Sequence, residues 1–374
     1  MNNRRHPFRV FIGIFVTITA TLGGTFFLLL PRILADYPKA AEDYARLVFP
    51  QITKIPVLIS SSVPVSLTEI FLVSSLVWGV VLLIVFCISF ARSPRKARFL
   101  RRSVCILACL YFLISASYTL QHGLLYDRYP LQESLGLETR QRTPEELSEV
   151  SSWLAGQIAE LRTELPEDQN GCATLTTSVE QTLSDGNTAL DSASTRFPVL
   201  AGNMTRGKPV ILSHLWSYTG ITGMYFPFFA EANVNVDVPM YTMPFTICHE
   251  LAHTRGIARE QDANLAAFLS CISSDRADFR YSGYQYAYLY CANDLYYADP
   301  AQLASIASEL PSGAFRDWQS STQYWKQFEG PVQEASTKVN DSFLKANQQD
   351  QGVRSYSMVT DLIIDYYFTY VKGA

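Results

Sequence analysis

Histidine is scarce in this chain, with 5 in 374 residues, and charged residues make up only 17% of it. Soluble domains usually carry about a quarter of their residues as Asp, Glu, Lys and Arg, so part of the chain is expected to live in lipid. Lys and Arg form no run outside one short loop, and the net charge is −4. The pI is about 5.8 and the mean hydropathy slightly positive. Nucleic acid is therefore not expected as a partner. None of the seven cysteines falls in a C-x-x-C pair, which argues against a cysteine zinc site or a dithiol redox motif. Cys87, Cys105 and Cys109 lie in apolar runs and read as inert membrane residues. Cys172, Cys248, Cys271 and Cys291 lie in the polar part, with their pairing open.

Long apolar runs, by contrast, are present. Residues 1–9 are basic, with Arg4, Arg5 and Arg9, and Val10 to Leu30 follow without a charge, long enough to cross a bilayer. A signal peptide is the competing reading, but the run is long for one and no A-x-A-like site follows closely, so a retained anchor is expected. Residues 31–65 read as a loop. Ile70 to Phe90 is a second span and Val104 to about Leu124 a third. Between them lies the densest cationic patch, Arg92, Arg95, Lys96, Arg98, Arg101 and Arg102. The positive-inside rule puts this patch and the N-terminus in the cytoplasm. The chain then divides into a membrane region, 1–126, and an extracytoplasmic domain, 127–374, which is large enough for its own core.

In that domain Thr143-Pro144-Glu145-Glu146 marks a helix start with a capping box, running to about Leu165. A weaker helical pattern covers 177–194, and 198–209 reads as loop. Val210-Ile211-Leu212, Met224-Tyr225-Phe226 and the stretch 232–236 read as strands. Beyond Asp275 the chain is mostly helical, with further segments near 315–328, 331–347 and 356–371. Asp361 and Asp365 interrupt the last of these, so it is expected to pack as a terminal helix rather than form a fourth span. The predicted fold class is α+β, mostly helical, with a small sheet.

One stretch carries chemistry. Residues 248–253, Cys-His-Glu-Leu-Ala-His, read as H-E-x-x-H, in which two histidines one helical turn apart hold zinc and the glutamate works on water. Residues i and i+4 share a helix face, so His249 and His253 can bind one ion. Glu250 lies about 100° round the helix, where it reaches the bound water rather than the metal. With so few histidines a chance match is rare.

A catalytic zinc needs a third protein ligand and an open position. On this topology His6 is cytoplasmic and His122 sits at the membrane edge. His214 and Asp262 stay possible, and Glu260 fits best. On an unbroken helix Glu260 would share the histidine face about 10.5 Å further along, too far to share an ion. The helix must therefore turn back, and Gly256 is where a left-handed terminus carries least strain. A second helix beginning near Arg259 would then aim Glu260 at the metal, with Leu265, Phe268, Leu269 and Ile272 packed inward and Asp262 as a cap or supporting partner. Asn233 and Val234 are weak candidates for an edge strand that an extended substrate joins. Tyr281, Tyr284 and His214 are candidates for a donor to the reacting carbonyl, although helix-spaced tyrosines are more often core.

His249-Glu250-x-x-His253 followed by Glu260-x-x-Ala263-Asn264 resembles the gluzincin pattern. In HtpX-like, CAAX-prenyl-type and ImmA/IrrE-like peptidases the metal-binding Glu similarly lies on a second helix; the spacer here is shorter. The whole is most similar to a bacterial membrane family that shares the short spans, Pro244-Phe245-Thr246-x-Cys248 through His253, Ala258-Arg259-Glu260 and Tyr281-Ser282-Gly283-Tyr284. The resemblance implies a zincin-like domain, Zn²⁺ as cofactor and a membrane-anchored metallopeptidase acting on a peptide or protein. The alternative is a catalytically silent zinc-binding receptor or scaffold. An intramembrane protease fits poorly, because charged residues crowd both ends of the motif.

Overall fold

The computed structural model describes residues 5–140, 142–356 and 358–373; the side chains of Arg5, His6, Pro7 and Arg9, with all of Arg4, lie outside the described residues. The chain is mostly helical and divides into two compact units, Met1–Phe49 with Leu67–Arg128, and Pro50–Ser66 with Tyr129–Ala374.

The first unit is built from α1 (Arg5–Leu34), α2 (Pro38–Leu47), α4 (Leu67–Arg92) and α5 (Lys96–Gln121); α3 (Phe49–Ser61) falls almost wholly in the second. Three helical stretches, Val10–Leu34, Leu67–Arg92 and Lys96–Asp127, are long and apolar enough to cross a membrane. α1 and α5 pack together, with the Phe27 and Phe112 rings 5.8 Å apart. The third span starts earlier than expected. Ser93 to Arg95 form the break, and the second half of the cationic patch makes the first turns of α5.

The expected loop at 31–65 instead holds two helices. Two features hide them from a hydropathy reading. α2 buries the small residues Ala41 and Ala45, which leave little periodic signal. α3 carries Pro56 in its interior, which reads as a breaker.

In the second unit a turn of helix, α6 (Leu131–Ser134), leads to α7 (Pro144–Arg162). The capping box is present, with Thr143 Oγ1 accepting from the Glu146 N–H and the Glu146 side chain accepting from the Thr143 N–H. α8 (Val179–Arg196) follows, and then a three-stranded sheet interrupted by α9 (Ser213–Ser217). The strands β1 (Gly207–Pro209), β2 (Gly223–Phe226) and β3 (Glu231–Val234) are ordered β1-β3-β2, with β1 parallel and β2 antiparallel to the central β3. The first strand lies three residues before the expected 210–212. Val210 N–H makes the last bond, to the Val234 carbonyl, and Ile211 is exposed just before α9. The strand is hard to read because Lys208 sits in it. That side chain is fully buried, with Nζ donating to the carbonyls of Ser60 and Val63.

The motif helix α10 (Met243–Thr254) is buried along its whole length, among α8, α11 (Glu260–Ile272), α12 (Ala277–Ala298) and the sheet. α13 (Pro300–Ala307), α14 (Ser312–Lys326), α15 (Pro331–Ala346) and α16 (Val359–Tyr366) complete the unit. α16 is a packed terminal helix. It buries Leu362, Ile363 and Ile364, and Arg142 pairs with Asp365 at 2.7 Å.

Candidate metal centre

The turn after α10 decides the geometry. Gly256 has φ +83, its N–H bonds the His253 carbonyl at 3.0 Å, and the Ile257 N–H bonds the Ala252 carbonyl at 3.3 Å. These two bonds make a Schellman ending, which favours glycine at its left-handed position. The reversal lets α11 start at Glu260, with Arg259 as its N-cap. Arg255, just before the turn, is buried and donates to the Leu200 carbonyl at 2.9 Å, Asn187 Oδ1 at 2.8 Å and Asp191 at 2.6 Å. The turn is thereby tied to α8 and the segment after it.

The reversal brings three buried donors together. His249 Nε2 and His253 Nε2 stand 3.1 Å apart, and Glu260 Oε2 lies 3.2 Å from the first and 3.6 Å from the second. Ligand atoms bound tetrahedrally at 2.0–2.1 Å from a zinc ion stand about 3.3 Å apart, which matches these spacings. Both imidazoles have their other nitrogen occupied: His249 Nδ1 lies 2.7 Å from Asn264 Oδ1, and His253 Nδ1 lies 2.6 Å from the Ile257 carbonyl. Those oxygens only accept, so each ring carries its proton on Nδ1 and turns a lone pair on Nε2 toward the centre. Glu260 Oε2 is buried without a hydrogen-bond partner. Three buried lone-pair donors facing one another repel unless a proton or a metal ion sits among them, so the residues present fit a metal ion. Among the described residues, His249, His253 and Glu260 form such a group.

Electrostatics points the same way. Without a cation, burial works to lower the His253 pKa, but the Glu260 carboxylate beside it prevails and raises it to about 9. Burial opposes ionisation of Glu260, yet the two histidines hold its carboxyl well below the usual range. Both shifts describe a strong demand for positive charge at this point.

Glu250 is also buried but lies outside the donor set. Burial pushes its pKa up, the two histidines work against that rise, Glu260 adds to it, and the Tyr225 N–H bonds the carboxylate. β2 runs against this side chain. A Cβ added at Gly223 would stand 2.5 Å from Glu250 Oε1, so only glycine leaves room for the carboxylate there.

Other residues singled out from the sequence lie elsewhere. Asn233 and Val234 are in the central strand, paired on both sides and fully buried, so neither forms an edge. β2 is the outer strand next to Glu250. Tyr281 is core, its hydroxyl donating to Asp317, and Tyr284 packs on Trp153 and Phe268. His214 sits on α9 with Nδ1 2.7 Å from Asp237 and is not among the metal donors. Asp262 accepts from Arg259 Nε at 2.8 Å and from the Leu131 N–H at 3.4 Å. His122 is buried beside the Tyr126 hydroxyl at 3.0 Å. The four cysteines of the second unit are free thiols; Cys248 lies beside Cys271, whose thiol burial pushes up.

Tyr356 also stands at the site. Its ring lies 6.2 Å from that of His249, and its carbonyl accepts from Asn264 Nδ2 at 2.9 Å. Its phenol bonds Glu260 and Asn340, and burial together with Glu260 raises its pKa well above the ordinary value. Nothing in the local sequence separates this tyrosine from the 20 others. Asn264, by contrast, stands one helical turn after Glu260, on the same face.

A family model described as a protein of unknown function (DUF3810) matches residues 44–364. The chain belongs to that family. The matched region holds α4, α5 and the whole donor set, while α1 precedes it. No curated protein and no solved structure matches the chain significantly.

Proposed function

We propose that this chain is a membrane-anchored zinc metallopeptidase of gluzincin type, hydrolysing peptide bonds outside the cytoplasm. The observation that carries the reading is the meeting of three buried donors, two imidazoles and a carboxylate, beside a fourth buried group, Glu250, that is not one of them. Structural zinc sites are closed by four protein ligands, whereas catalytic ones use three and keep a position open. Bound there, zinc would supply Lewis acidity, activating water and polarising a carbonyl.

The chain's own groups do the rest. Glu250, held by the Tyr225 N–H and seated against Gly223, takes a proton from water and later gives it to the leaving amine. Burial favours the proton-holding form of Glu250, and the histidines restrain that tendency, which suits a group that must do both. Tyr356 keeps its proton because of its burial and is a donor within reach of the site. An extended peptide joining the outer strand β2 would lie alongside Glu250.

Helix α10 has 12 residues, too few to cross a bilayer, which supports a site outside the lipid. The cationic start of α5, read with the positive-inside rule, supports a cytoplasmic N-terminus and an extracytoplasmic second unit. The test is Glu250→Gln with metal content and cleavage of an unfolded protein measured together. The expected result is full metal content and a rate about 10²–10⁴-fold lower. Unchanged cleavage would remove Glu250 from the mechanism. A metal-loaded wild-type chain without cleavage would support the scaffold reading.

A further inference from the structure

Helix α3 shows two different faces. Thr53, Val57 and Ser60 are buried on a helical repeat, and this face packs into the rest of the second unit. Asn203 Nδ2 donates to Thr53 Oγ1 at 3.0 Å and to the Pro50 carbonyl at 2.9 Å, and Lys208 Nζ donates to the Ser60 carbonyl at 2.6 Å. The other face carries Ile55 at 67%, Leu58 at 71% and Ile59 at 55% exposure, at the i, i+3, i+4 spacing of neighbours on a helix surface. Met204, beside Asn203, is 71% exposed as well. Three large aliphatic side chains together on water-facing helix surface are costly.

Chain continuity says what covers them. α3 ends at Ser61, and α4, the most apolar of the candidate spans, begins at Leu67. Five residues separate a helix with a bare apolar face from the point where the chain enters lipid. Ser66, the last residue before α4, is buried and donates to Asn233 Oδ1 on β3 at 2.5 Å. Asn233 pairs with Met224 on β2, next to the glycine that seats Glu250. With strands about 4.8 Å apart, Ser66 stands on the order of 15 Å from the Glu250 carboxylate.

We propose that the Ile55–Leu58–Ile59 face of α3 lies in the headgroup boundary of the bilayer, as amphipathic helices do. It thereby holds the site at the membrane surface, and its substrates are extended segments of membrane-inserted proteins that emerge within a few residues of the lipid. The lipid contact stands by itself; the substrate class rests on the metallopeptidase reading.

The test uses the full chain in nanodiscs of phosphatidylcholine and phosphatidylglycerol. A photo-crosslinking residue is placed at Leu58, with Trp78 inside α4 as the lipid-embedded reference. Lipid adducts at Leu58 in a yield comparable to that at Trp78 are expected. Adducts to protein, or none above background, overturn the docking. The second arm compares Ile55→Gln/Leu58→Gln/Ile59→Gln with wild type on one cleavage sequence, free in solution and fused close to a transmembrane helix. The expected result is a roughly tenfold loss on the fused substrate, from lost effective concentration, with the free one unchanged. Equal change on both substrates overturns the substrate class. Lipid adducts without any wild-type cleavage would leave the docking standing and remove the peptidase reading.

Discussion

The second unit holds two buried polar clusters that differ in one respect. Around Asp317, every partner supplies what its neighbour needs. Arg162 Nε donates to the carboxylate at 2.8 Å, the Ala173 N–H donates at 2.7 Å, Tyr281 donates its hydroxyl, and Arg162 Nη2 reaches the Gly171 carbonyl at 2.9 Å. Around Glu260, the two imidazoles give their protons away from the centre, to Asn264 and Ile257, and leave three acceptors facing one another. The first cluster is complete as protein and joins α7, α12 and α14. The second is complete only with positive charge at its centre, a proton on an imidazole or a metal ion. A buried polar cluster becomes a candidate for chemistry through what it leaves unsatisfied, and its burial alone does not decide that.

Removing the central carboxylate should have opposite consequences in the two places, and this is the largest effect expected. Glu260→Ala should bring metal content, measured by elemental analysis, to near background. Asp317→Ala should leave it unchanged and cost about 3–5 kcal/mol of stability in chemical denaturation, because Arg162 loses its buried partner. Metal loss in Asp317→Ala, or metal retained in Glu260→Ala, would break the contrast.

Supporting partners come next. Asn264→Ala should weaken metal binding about 10–100-fold in a competition titration, since it orients His249. Tyr281→Phe should leave that affinity alone and cost roughly 1.5–3 kcal/mol, as expected for a hydrogen bond to a charged group. The smallest effects belong to the two glycines whose turns deliver carbonyls, Gly256 at φ +83 and Gly171 at φ +72. Alanine at either should cost about 1–2 kcal/mol in left-handed strain. Only Gly256→Ala should also lower metal affinity, because only its turn carries the oxygen that orients His253.

Much of this centre could be read along the chain because it is nearly local. His249, Glu250, His253 and Glu260 fall within twelve residues, helical periodicity fixes which of them share a face, and Gly256 marks the one place where the helix can reverse. The three apolar runs were legible for a similar reason, since a span is a property of consecutive residues. What escaped was long-range. β1 is hidden because its buried Lys208 is satisfied by carbonyls about 145 residues earlier, and α3 because Pro56 reads as a breaker and its buried face is anchored by Asn203 and Lys208 about 150 residues later. Asn233 and Val234 alternate like an edge strand, but β1 and β2 flank them on both sides.

By itself, then, the sequence determined the three long apolar helices, the motif helix and the turn behind it, since each depends on spacings of a few residues. Tertiary structure alone decided that β2 is the outer strand and seats Glu250 against Gly223, that Tyr281 closes a structural cluster, and that Tyr356 stands by His249 and Glu260. Those positions are set by which distant segments pack together, and no local period of the chain encodes that.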